Sequence, residues 1–340
     1  MSNKVLSAVL FSAVLLSLAS SAFGWDETGH KITAYIAWQQ MTPEVRDKVI
    51  RILRSAPEDS QLATFFMPYG SRSEGARKRE FFLIAATWPD IIKDKDFGTR
   101  FDNYNHSNWH YFDTLWMLKD DKVVFVDSNE DLGHLMEKLA DFDKVIRGSA
   151  SNAEKAIAIA WLEHLIGDLH QPLHTTGRVL GDDDKKGDQG GNLFSLKPKG
   201  SREKLNLHSF WDGIIRQNFP NTNDACEADY LDPIAQSIMK DFPYSKLQSR
   251  ISSAKYDVWE KESIEIATTE VYKGLKRYEM PSDDYKKKSL KIAEERMALG
   301  GYRLGDLFNV VFGAPPAPVA SPTLAPVTPA ASPTPTPTKQ

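Results

Sequence analysis

One cysteine, Cys226, is all that 340 residues contain. No disulfide can close within the chain, so a framework of bridges is excluded as the source of its stability. Excess positive charge is missing too, since 42 Lys and Arg face 46 Asp and Glu for a net charge of −4. That excludes the basic global field usual in nucleic-acid binders. An anionic ligand would have to be drawn by a local positive source, and bound divalent cations are one. Beyond residue 24 no apolar run approaches the length of a membrane-spanning helix. Alternating strand patterns are scarce and no repeat of fixed period is present. Packing of helices, or metal, must then hold the chain together.

The two ends differ in kind from the middle. Residues 1–24 have the pattern of a secretory signal, with Lys4, the apolar run "VLSAVLFSAVLLSLA" and the small residues Ala22 and Gly24 before a cleavage point. Cleavage there would make Trp25 the first residue of a secreted or periplasmic protein. From Ala314 to Gln340 the chain is a Pro/Ala/Thr/Ser tract whose one charged side chain is Lys339. Such a composition cannot bury a core and is expected to be a disordered tail or tether. No linker or composition break interrupts 25–313, which is expected to be one domain.

Within it, helical signals dominate. Thr42 and Pro43 stand at N-cap and first helical position before apolar residues at Val45, Val49, Ile52 and Leu53. Ser151 and Glu154 have capping-box spacing at the start of "SNAEKAIAIAWLEHLIGDLHQ". Long helical patterns fill 252–275 and 283–308, and "KVVFV" at 122–126 is the best strand. The expected fold class is all-α, or mostly α-helical.

The helix from Ser151 carries the sharpest chemical signal. Ile157, Ala160, His164 and Asp168 share one face, so a stripe that buries apolar groups ends in an imidazole and a carboxylate. A buried carboxylate needs a cation or several donors. Just beyond, "HQPLH" places His170 and His174 around a turn at Pro172. His208 and Asp212 stand at i and i+4 in "NLHSFWDG". Asp90 and Lys93 occupy "TWPDIIK", and His110 and Asp113 occupy "HSNWHYFD". Singly, each has a plain reading: a hydrogen-bonded core histidine, an N-cap, a solvated lysine. Together with His30, five of the eight histidines are matched by Asp90, Asp168 and Asp212. Imidazole and carboxylate donors without thiolate suit catalytic Zn²⁺, and they are too many for one tetrahedral ion.

In this order, with W-x(4)-H at Trp25, H-x(3)-D-x-H-Q-P-L-H, G-D-x-G-G-N and N-L-H-x-x-W-D, the motifs resemble the zinc-dependent single-strand-specific nucleases of moulds and plants. That family shares a fold with bacterial zinc-dependent phospholipase C. The likeness runs from Trp25 to Asp212, and "GGYRLGDLFN" near 300 extends it to the last helix. It implies a mostly α-helical fold, three Zn²⁺ ions, cleavage of RNA and single-stranded DNA to 5′-mononucleotides, and 3′-nucleotidase activity on 3′-mononucleotides. One zinc would be held by Asp90, His110, His164 and Asp168. A second would be held by the Trp25 amine and carbonyl, His30 and a bridging Asp168, and a third by His174, His208 and Asp212. By the same resemblance Asp113 would orient or activate water, and Lys93 would neutralise charge on the phosphate. His170 would donate its ring N–H to a carboxylate or carbonyl near the cluster, and Asn192 would bond a base edge or a cluster carboxylate. Phe112, Tyr111 and Phe194 are candidates to stack on a base. The chain departs from the mould and plant members in having no cysteine pair, which points to a bacterial relative. Asn105-His106-Ser107 forms a glycosylation sequon.

Two other readings compete: a zinc-dependent phospholipase C, and a non-catalytic exported zinc-binding protein. Asp90-x-x-Lys93 and the G-G-N loop fit the nuclease, and a sequestering protein needs neither Asp113 nor Lys93. No stable protein partner is implied, nor any transmembrane segment once the leader is removed.

Overall fold

The computed structural model describes residues 25–181, 186–222, 226–252 and 255–313; the leader 1–24 and tail 314–340 lie outside them. In chain order the elements are α1 (Glu27–Gln40), α2 (Pro43–Leu53), α3 (Glu74–Ala85), α4 (Trp88–Ile91), α5 (Gly98–Tyr104), β1 (Thr114–Lys119), β2 (Lys122–Phe125), α6 (Leu135–Arg147), α7 (Asn152–His170), β3 (Thr176–Arg178), α8 (Leu207–Asp212), α9 (Ile214–Asn218), α10 (Glu227–Asp241), α11 (Tyr244–Leu247), α12 (Tyr256–Ile266) and α13 (Asp283–Phe312). The mostly α-helical expectation is met.

Local sequence explains the boundaries. The Thr42 hydroxyl accepts from the Val45 amide at 3.3 Å, and Pro43 needs no partner for an N–H it lacks. At the start of α7 the Ser151 hydroxyl accepts from the Glu154 amide, and the Glu154 carboxylate accepts in return from the Ser151 amide. α7 differs from the expected one-sided helix. Its residues from Ala158 to His170 are all buried, whereas Ile157 on the expected stripe is only half-buried. A helix apolar on every side belongs in the middle of a domain, and α7 touches α1, α2, α4, α6, α12 and α13.

Glycines let α1 reach both of its long neighbours. A Cβ on Gly301 of α13 would stand 2.6 Å from Ile36 Cβ and 2.7 Å from the Thr33 carbonyl oxygen. One turn on, Gly305 meets Gln40 Cβ at 2.6 Å in the same way. Gly301→Ala adds helix propensity of about 1 kcal/mol, but the obstructing atoms are a Cβ and a backbone oxygen that cannot rotate aside. Overpacking of about 1–3 kcal/mol therefore wins, and calorimetry should find the variant melting several degrees lower; an unchanged or higher melting temperature would contradict the close-packed interface.

The sheet is small, ordered β2-β1-β3. β1 and β2 form an antiparallel hairpin whose two-residue turn, Asp120-Asp121, has positive φ at both positions, as a type I′ turn requires. β2 confirms the strand expected near 122–126. β1 was not foreseen because it buries the consecutive residues Leu115 and Trp116 and so breaks alternation. β3 runs parallel to β1, with Thr114 opposite Thr176. This pairing places the residues just before β1, His110 to Asp113, beside the residue just before Thr175, His174.

Candidate metal centre and cleft

Asp168 lies at the middle of the polar cluster. Its Oδ1 is 3.4 Å from His30 Nε2 and 3.7 Å from His174 Nδ1, and its Oδ2 is 3.3 Å from both His110 Nδ1 and His164 Nε2. Asp90 Oδ1 stands 3.8 Å from His164 Nε2 and 3.9 Å from His110 Nδ1. His208 Nε2 faces Asp212 Oδ2 at 3.3 Å. The donor atoms form three groups, each within 4.8 Å: His30, His164 and Asp168; Asp90, His110 and His164; His174, His208 and Asp212. The structure thus brings together every Asp and His proposed as a ligand from sequence.

Each element contributes for a local reason. His164 and Asp168 are one turn apart on α7. His30 reaches them because Gly167 has no side chain: a Cβ there would meet His30 Nδ1 at 2.7 Å. The His30 ring stacks on that of His164 with centroids 3.8 Å apart. Trp25 is buried in the core, and the Asp26 amide next to it donates to the Asp212 carbonyl at 3.0 Å. The start of the described chain is thereby tied to the third group.

One nitrogen of each of three rings is fixed by a carbonyl. His164 Nδ1 lies 2.8 Å from the Ala86 oxygen and His208 Nδ1 2.8 Å from the Gly190 oxygen, both turned away from the carboxylates, while His174 Nδ1, also near Asp168, lies 2.6 Å from the His110 oxygen. A proton donated to each carbonyl leaves Nε2 as a lone pair, which is how proteins orient metal-binding imidazoles. His164 Nε2 and His110 Nδ1 point at each other 2.9 Å apart. Both Asp168 oxygens and both His30 nitrogens are buried with no hydrogen-bond partner.

Charge completes the picture. Burial drives His164 down to about 3, so its ring is neutral. Burial opposes the ionisation of Asp90, yet the Lys93 ammonium and the His164 and His110 rings hold it down at about 2. Burial pushes Asp212 well up, and the Asp168, Asp26 and Asp90 charges add to the effect. Crowded carboxylates and imidazoles with orphaned donor atoms are a donor set for divalent cations.

The cluster borders a cleft of about 500 Å³ whose wall includes Lys93, Tyr111, Asp113, Leu173, Asn192 and His208. Lys93 Nζ pairs with Asp90 at 2.7 Å. Asp113 is buried, and burial followed by the nearby Asp188 charge lifts its carboxyl well above the ordinary range. Of the stacking candidates only Tyr111 lines the cleft. Phe194 is in the core, edge-on to Tyr272, and Phe112 packs partly buried against that core.

Two other expectations need adjustment. His170 does bond a carbonyl through Nδ1, that of Ile166 at 2.7 Å, but its Nε2 accepts from Arg303 Nη1 at 2.7 Å. It looks into a buried network of Arg296, Arg303 and Glu262, away from the metal groups, and fastens the end of α7 to α12 and α13. Asn192 reaches no cluster carboxylate: it donates to the Gln189 carbonyl at 2.9 Å and accepts from Asn206 at 3.4 Å. The glycine loop acts through its backbone instead. Gly190, at φ 60°, packs so tightly against the Leu173 carbonyl that any Cβ would collide, and it presents its own carbonyl to His208.

Residues missed from sequence include Gln171 and Asp188. Buried Gln171 donates to Asp212 Oδ1 at 2.6 Å; its place inside "HQPLH" was the available signal. Asp188 accepts from the Arg178 and Gly191 amides and the Tyr272 hydroxyl, pinning the glycine loop to β3.

A family model described as S1/P1 nuclease matches residues 25–313. Endonuclease 4 of Arabidopsis thaliana is 24% identical over 89% of this chain and 94% of its own length. Nuclease S1 of Aspergillus oryzae is 24% identical over 89% of this chain and 97% of its own. Endonuclease 1 of Arabidopsis thaliana is 31% identical over 46% of this chain and 49% of its own. The chain belongs to the S1/P1 nuclease family and is a hydrolase of phosphodiester bonds.

Proposed function

We propose that this enzyme is an exported, three-zinc endonuclease that cuts single-stranded DNA and RNA to 5′-mononucleotides and removes phosphate from 3′-mononucleotides. The observation that carries the reading is Asp168, an unpartnered buried carboxylate within 3.7 Å of four imidazoles and beside a cleft. Asp90, His110, His164 and Asp168 would hold one ion. His30, Asp168 and the Trp25 amine and carbonyl would hold another, and His174, His208 and Asp212 a third. An amine is available at Trp25 only if the leader is removed before it, so export and assembly of the centre are one event in this reading.

Zinc so bound lowers the pKa of water and neutralises charge on phosphate oxygens. The chain's own groups do the rest. Asp113 orients the attacking water and takes its proton at a carboxylate oxygen. The bond from phosphorus to the 3′-oxygen breaks, the phosphate stays on the 5′ carbon, and the departing oxygen is protonated from solvent. Lys93 offers its ammonium to the non-bridging oxygens as their charge grows. Tyr111 supplies a ring on which an unstacked base can lie, and a base held in a duplex cannot reach it. None of the described helices is long and apolar enough to cross a membrane. Nuclease relatives also favour this reading over a phospholipase C or an inert zinc store.

Asp113→Asn separates chemistry from metal binding. The variant should keep the zinc content of the parent and lose most hydrolysis of heat-denatured DNA, by roughly 10²–10⁴-fold if the carboxylate acts as the general base. Turnover within a few-fold of the parent would remove Asp113 from the mechanism. Hydrolysis of phosphatidylcholine with no cutting of denatured DNA would replace the nuclease reading altogether.

A further inference from the structure

Along α5 the usual order of burial is inverted. Arg100 is buried while its neighbour Phe101 keeps part of its ring in the cleft wall. A buried charge beside a partly exposed aromatic is the unusual arrangement. Arg100 is fastened by hydrogen bonds from Nη1 to Gln61 at 3.0 Å and from Nη2 to the Ile91 carbonyl at 3.1 Å. At the end of the same helix Tyr104 donates to Asp59 at 2.8 Å and sets its ring edge-on to Trp88 at 5.5 Å. These anchors hold the Phe101 ring on a fixed element at the cleft.

Two more groups share that wall. Lys95 places its ammonium 5.7 Å from the Phe101 ring centre, and Asn105 carries a side-chain oxygen that is buried and meets no donor. An aromatic face, a cation and an amide are the three contacts that grip one nucleotide of a single strand: stacking, phosphate and base edge. Tyr111 and Asp113 line the same cleft from the segment before β1, and Lys93 from just past the end of α4, whereas Phe101 stands on α5 with Lys95 and Asn105 on either side of that helix in the chain.

We propose that Phe101, Lys95 and Asn105 form a subsite for a nucleotide beyond the two joined by the scissile bond, so that the enzyme prefers longer single strands over dinucleotides. The inference rests on the nuclease reading above. It also gives the sequon at Asn105 a consequence, because a glycan there would stand in the strand's path.

The test compares a single-stranded decamer with a dinucleotide, using the zinc-loaded full chain. Phe101→Leu keeps apolar volume and loses the stacking face. It should lower the ratio of kcat/KM for decamer to that for dinucleotide about ten-fold, within what one stacked base contributes, and Phe101→Trp should restore the ratio. Lys95→Ala should reduce the salt dependence of decamer binding by roughly 0.7 in the log–log slope, the value for one phosphate contact on a single strand. If Phe101→Leu leaves the ratio unchanged while the parent cleaves both substrates, the subsite is wrong and the nuclease reading stands. A parent that cleaves neither substrate overturns both.

Discussion

Asp168→Asn should abolish detectable hydrolysis of denatured DNA and strip zinc from the protein. The loss should exceed the roughly 10–100-fold that follows removal of an outer partner of a metal ligand. Asparagine keeps the volume and the place on α7, so packing is not the cause. What disappears is the negative charge that lies within 3.7 Å of His30, His110, His164 and His174. Burial opposes the ionisation of Asp168, yet the His164 and His174 rings hold its carboxyl well below the usual carboxylate range, so its charge is favoured in the folded cluster even before an ion is bound. The variant should also lose the stabilisation conferred by zinc, so that added zinc no longer raises its melting temperature. Rates measured together with zinc stoichiometry check this. A variant that keeps full zinc and near-parental turnover would show that Asp168 is not the shared ligand.

Asp168 and His164 were legible in the sequence because i and i+4 on a helix stack whatever the tertiary context. His174 and His208 were legible through short motifs, while His30 and Asp90 gained meaning only from the count of matched donors. What periodicity could not supply was orientation. His170 has the spacing of a neighbour of the centre, yet the end of α7 turns it onto Arg303. α7 was expected to have one inward face, but helices on its other sides bury even Glu163, whose carboxyl has no partner and is pushed well up by burial. The glycines of "GDQGGN" announced close backbone approach without naming the partner, which is a histidine rather than a base. The stretch around Lys95 and Phe101 has no period to read, and only the cleft brings the two side chains together.

Chelation should lower the melting temperature by about 10 °C or more, an effect built from two contributions. Ligands that bind only the native state stabilise it by about 2.7 kcal/mol for each site at a hundred times its Kd, and a domain of this size shifts by roughly 2–4 °C per kcal/mol. The second contribution is the state left behind. With zinc removed, Asp90, Asp168 and Asp212 share one region with the imidazoles, and burial followed by the Asp168, Asp26 and Asp90 charges drives Asp212 well above the usual carboxylate range. Disulfides offer no compensation, because Cys226 is exposed and has no other cysteine to join. The close glycine contacts of α1 with α13 and α7 persist without metal, so the apo chain should remain helical by far-ultraviolet circular dichroism while melting earlier. Scanning calorimetry of the zinc form, the chelated form and the chelated form given zinc again provides the check. Identical melting in all three would mean that the imidazoles and carboxylates are accommodated without a cation, and the metal centre proposed here would have to be abandoned.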